Sequence, residues 1–146
     1  MGNPRKQLKI ASIVVLVFWL VSLVNLISAL FFGDLNEAAV PDGSPENTLM
    51  ITRIFVLSLS AIMLLPQLYV GIKGLRVAAN PDNSKAHIFW AVILFIVALS
   101  NLIPSILAAI RGESVGDNVL EAFSAVVDVI VYLDFIVYAR AVLKGN

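Results

Sequence analysis

Four stretches of this chain, at about 8–32, 49–72, 86–110 and 118–143, are apolar over the roughly 20 residues of helix needed to cross a hydrocarbon layer. No other feature constrains the fold as strongly. Lipid offers no partner to backbone N–H and C=O groups, so each block must close its own hydrogen bonds, which a helix does within one segment. The blocks take up nearly the whole chain and leave no room for a second domain. The sequence therefore predicts an all-α fold, a four-transmembrane-helix antiparallel bundle forming a single transmembrane domain over residues 1–146, its neighbours antiparallel because the connections are short.

Composition agrees. Of the 146 residues, 60% are apolar and 14% charged, against roughly 45–50% and 25% in a soluble domain. So few charges cannot coat a small globule in water. Ten basic and ten acidic residues cancel, which excludes the net basic footprint of a nucleic-acid binder. The chain has no cysteine, so disulfide frameworks, thiolate metal sites and cysteine nucleophiles are excluded as well. The first block follows Arg5, Lys6 and Lys9 like a signal peptide. Its long apolar run and the lack of a small-x-small cleavage site predict a retained span.

Basic residues orient the chain. Arg5, Lys6, Lys9, Lys73, Arg76, Lys85, Arg140 and Lys144 fall on one side, against Arg53 and Arg111 on the other, whose connections are acidic. The positive-inside rule then predicts both termini in the cytoplasm, at the inner membrane of a cell. Pro41–Glu46 is turn-rich, and Asn80–Ser84 is a turn with Ser84 or Asn83 as the expected N-cap of the third span. Trp90, Tyr69 and Tyr138 fall near the inner ends of their spans, at headgroup level. A weak internal repeat relates Val24–Ser28 to Ser100–Pro104, and Gln67 with Lys73 to Asp134 with Arg140.

Polar groups within the spans are the candidate site, because an ionisable side chain in lipid costs roughly 3 kcal/mol unless it finds a partner or a function. Asp128 lies about 15 Å from the outer end of its span at 1.5 Å per residue. It shares a helical stripe with Glu121, Ser124, Ala125, Tyr132, Phe135 and Ala139, which is expected to face the bundle interior. Asn25 and Asn101 sit at similar depth, and Arg53, about one turn inside the outer boundary, is placed to pair with Glu121 or reach toward Asp128. Trp19, near mid-span, needs an acceptor for its indole N–H. These six, Asp128, Arg53, Glu121, Asn25, Asn101 and Trp19, form the expected outer polar pocket, with Asp134 and Gln67 as inner-side candidates. The same polar groups also read as glue between helices.

Pro66 and Pro104 each remove one intrahelical hydrogen bond, and Ser105, Ala108, Ala109 and Gly112 form small-xxx-small pairs suited to close helix contact, within the chain or between copies. The basic stretch Gly71–Arg76 reads as an inner loop without phosphate-loop spacing. Lys73, Arg76 and Lys85 are expected to touch anionic lipid. His87, the single histidine, reads as a headgroup contact or helix-start residue, and one imidazole makes no metal site. No metal, cofactor or catalytic set is expected.

The segment Gly71–Val92, GIKGLRVAANPDNSKAHIFWAV, resembles the inner loop of small four-helix bacterial integral membrane proteins. The resemblance covers about a sixth of the chain and implies a bacterial source and no activity. The expected function is that of a non-catalytic membrane protein, an interaction, scaffold or accessory subunit. Its partners are the lipid bilayer and either a second copy or another membrane protein. The alternative is a small proton- or cation-coupled carrier or channel using the fourth-span carboxylate.

Overall fold

A computed structural model describes residues 2–32, 46–82, 84–111 and 115–145; the side chains at 32, 46, 47, 49, 115–118, 120 and 121 lie outside that set. The chain forms four helices: α1 (Pro4–Phe32), α2 (Glu46–Ala79), α3 (Ala86–Arg111) and α4 (Val115–Lys144). The described residues contain no strand. All four helices are long and apolar enough to cross a membrane, consistent with a multi-pass membrane protein. The Pro41–Glu46 turn and Gly112 lie outside the described residues, apart from Glu46, which opens α2.

Local chemistry sets the helix ends. Asn3 caps α1, its Oδ1 accepting the Arg5 N–H at 3.0 Å, and Pro4 takes the first helical position, where a missing N–H costs nothing. Pro81 stops α2, because a proline biases the residue before it away from helical backbone. Ahead of α3 the N-cap is not Ser84 as the sequence suggested, and Asn83 lies outside the described residues. Asp82 Oδ1 accepts the Ser84 N–H at 3.1 Å, and the Lys85 carbonyl takes the N–H groups of Ile88 and Phe89, both at 3.1 Å.

The second helix corrects the sequence reading in a further way. Gly71–Arg76 is helix, not loop, and α2 runs on to Ala79, 34 residues in all. At 1.5 Å per residue it is about 51 Å long, well beyond a hydrocarbon layer of about 30 Å. The glycines serve helix contact. A Cβ on Gly71 would lie 2.6 Å from Leu16 Cδ2, and one on Gly74 would strike Ser12 Oγ and the ring of Phe135. Three helices therefore converge on the bare face of Gly74.

Around that point the bundle is tightly closed. Leu8, Val15, Val70, Val77, Ala91, Phe135 and Ala139 belong to one buried core at the end of the bundle where most of the basic residues lie. Toward the other end burial fades on every helix: Phe31, Ile51, Ile110 and Phe123 are 80%, 68%, 76% and 69% exposed. Helices α1 and α2 form one closely packed pair and α3 and α4 the other, joined mainly through α1 with α4 and α2 with α3.

Candidate functional site

Where the helices part, each pair leaves a groove. Between α1 and α2, Ser22, Asn25, Ser60 and Gln67 line a groove of about 450 Å³ with Leu26, Ala29, Leu57, Met63 and Leu64. Between α3 and α4, Asn101, Pro104, Ser105, Ala108, Ser124, Ala125 and Asp128 line one of about 530 Å³. Each sets an asparagine of the first helix in its pair against a polar side chain of the second, Gln67 in one case and Asp128 in the other.

The stripe predicted on α4 is used as expected over most of its length. Ala125, Tyr132, Phe135 and Ala139 are buried and Asp128 is half-buried, while Val126, Ile130, Leu133 and Val137 face outward. Ser124 is exposed at the rim. Tyr132, one turn after Asp128, is close to it and to Gln67 across the bundle, and so stands between the two grooves. Sequence reading assigned Tyr132 to the interior stripe without this bridging position.

Of the outer-pocket candidates, Asp128 and Asn101 share a groove, and Asn25 lies in the other with Gln67, which the sequence had placed on the inner side. Arg53 is exposed and lines neither groove. Among the described residues the one ion pair is between Lys73 and Asp82, so Arg53 is not paired with Asp128. Glu121 is helical, but its carboxylate lies outside the described residues. Trp19 is half-buried, and its indole reaches no protein acceptor among the described residues. Asp134 is exposed and lines neither groove.

At the closed end, Lys73 bonds Asp82, and this holds the Asp82 carboxyl below the ordinary value of 3.8. Arg76 and Lys85 are exposed. Leu65, Leu68, Tyr69 and Ile72 form a shallow groove of about 230 Å³ along α2 that ends at Lys73 and Arg76. Phe89 and Trp90 meet edge to face with centroids 5.8 Å apart, and both are exposed, as suits rings at a membrane boundary.

His87 is a helix-start residue, second in α3, as one of its two expected readings had it. It makes no headgroup contact, the other reading: its side chain is fully buried, and neither ring nitrogen has a hydrogen-bond partner. Its ring meets Phe135 edge-on, centroids 6.2 Å apart and planes at 83°. The first turn of α3 packs into the closed end of the bundle, where Ile88 and Ala91 are buried as well. Compared with protein-family models, with curated proteins and with solved structures, the chain matches none. Among the described residues no three His, Asp or Glu side chains gather as metal ligands would.

Proposed function

We propose that this protein is a non-catalytic integral membrane protein, an interaction, scaffold or accessory subunit of a bacterial inner membrane, that docks a partner helix against its open half. One observation carries the reading: Asn25, Ser28, Ser58, Ser60, Asn101 and Ser124 are exposed within spans that lipid surrounds. Hydrocarbon gives such groups nothing to bond, whereas a neighbouring helix gains about 0.6 to 2 kcal/mol from each polar contact. Ser105 and Ala108 add small side chains that allow close approach and have no tight partner within the chain. The second copy and a different membrane protein are the two kinds of partner. A channel needs a continuous path, and the packing of Leu8, Val70, Val77 and Phe135 across the basic end favours interaction over conduction.

Orientation belongs to the same reading. Gly71 against Leu16 and Gly74 against Ser12 support an antiparallel α1 and α2, since position rises on one helix as it falls on the other. Eight basic residues at one end support cytoplasmic termini. The α2 groove that ends on Lys73 and Arg76 fits an anionic lipid, acyl chain along Leu68 and Ile72 and headgroup at the cations.

Because the chain lacks cysteine, single-cysteine variants test the proposal cleanly in native membranes. Val24→Cys and Ile103→Cys, at exposed positions of the open half, are expected to form intermolecular cross-links. Leu133→Cys, also exposed but at the closed end, is expected to form none. Cross-linking that is absent everywhere, or equal at all three positions, overturns the reading.

A further inference from the structure

We infer that the groove between α3 and α4 binds a lipophilic organic monocation, with the Asp128 carboxylate as its counter-charge and Asn101, Ser105 and Ser124 as additional acceptors. This goes beyond the interaction role and does not depend on it; a partner helix seated on Asn101, Ser105 and Ser124 would compete with the cation for the same groove.

The groove is large enough. At about 530 Å³ it falls within the roughly 300–1,000 Å³ of small-molecule sites, far more than a bare metal ion occupies. Its charge is of one sign. The Ser105 hydroxyl donates to the Asn101 carbonyl at 2.9 Å, so its oxygen faces the groove with acceptor capacity remaining. Pro104, which lines the groove, has no N–H to give the Ser100 carbonyl, so that carbonyl lacks its usual helical donor. Asp128 contributes the charge, and no Lys or Arg lies within ion-pair distance of it among the described residues. A single carboxylate among acceptors calls for one positive charge. The remaining lining, Pro104, Ala108 and Ala125, is apolar, and Ile103, Leu107 and Phe123 are exposed on the same two helices. A charged group with an apolar body satisfies both parts, because the carboxylate neutralises the cation where water is scarce while the body stays in an apolar setting.

The molecule supplies its own control. The groove between α1 and α2 is of similar size and also holds an asparagine and serines, but its fourth polar group is the neutral amide Gln67. An amide offers donors as readily as acceptors and carries no charge to hold a cation.

The test uses the full chain in phosphatidylcholine nanodiscs, with tetraphenylphosphonium as the probe and triphenylphosphine oxide as the neutral comparison. Saturable phosphonium binding is expected, weakened about tenfold or more by Asp128→Asn, unchanged by Gln67→Leu and not reproduced by the oxide. Absent phosphonium binding, equal binding by Asp128→Asn, or equal binding of the oxide overturns the inference. A second measurement avoids reliance on the variant's fold. A hydrophobic carbodiimide labels the Asp128 carboxyl of the unaltered protein, located by mass spectrometry, and phosphonium is expected to slow that labelling. An Asp128 that stays unreactive, or reacts at one rate with and without phosphonium, likewise overturns it. These readouts report ligand occupancy and are separate from the cross-linking above, so either proposal can fail alone.

Discussion

The two ends of this bundle are built from similarly apolar helices, yet only one of them closes. At the closed end the contacts run through Ala11, Gly71, Gly74, Ala78, Ala91 and Ala139, residues so small that backbones approach and large side chains such as Phe135 drop into the space between. At the open end Ile51, Phe55, Leu107 and Phe123 point outward, and polar side chains line the grooves. Lipid tails are as apolar as leucine, so hydrophobicity alone gives helices no reason to prefer each other over solvent. Close fit and the loss of packing voids decide where they join. The difference between the ends is therefore one of shape more than of polarity.

The largest expected effect follows directly. Phe135→Ala opens a cavity where three helices meet and should cost about 3–5 kcal/mol, as fully buried aromatics do. Phe31→Ala, at a position 80% exposed, should stay within about 0.5 kcal/mol. Reversible unfolding in bicelles measures both, and equal costs would erase the distinction between the ends.

A smaller effect sharpens it. Gly74→Leu forces a side chain into Ser12 and Phe135 and should destabilise by about 1–3 kcal/mol. Ala29→Leu adds the same kind of bulk beside the α1–α2 groove, where space is available, and should leave the same unfolding midpoint nearly unchanged. A tolerated leucine at 74 would mean that the closed end does not depend on close backbone approach.

The smallest concerns the turn that seats α3. The Lys73 ammonium beside Asp82 holds its carboxyl below 3.8, so the pair's contribution is fully present above that ordinary value and is lost as pH falls through the lower folded one. Both side chains are partly solvated, and the effect is modest. Thermal unfolding followed below pH 4 should show a fall in midpoint that Asp82→Asn removes; the same fall in Asp82→Asn would assign it to another group.

The four helices were legible from the sequence because hydropathy reports directly on the medium that a segment can occupy. The pairing of Asn101 with Asp128 was legible in part, since depth along a span can be counted from either end. Which faces meet was not. In water a helix marks its inner face with apolar residues, but α1 and α2 are apolar nearly all round, so nothing in the pattern separates a face that meets protein from one that meets lipid. Gly71 and Gly74 carried the missing information, but beside Lys73 and Arg76 they read as loop punctuation. The burial of His87 was missed for a related reason: its place in the first turn of α3 could be counted, but not whether that turn meets core or headgroups.

The sealed imidazole at position 87 has a further use. As the chain's single histidine, its ring resonances are assigned without ambiguity, and with the side chain fully buried and no bond holding either nitrogen, its exchange with deuterated solvent reports when the surrounding helices breathe. The rate of that exchange would serve as a built-in clock for the transient loosening of the tight end, with no label attached.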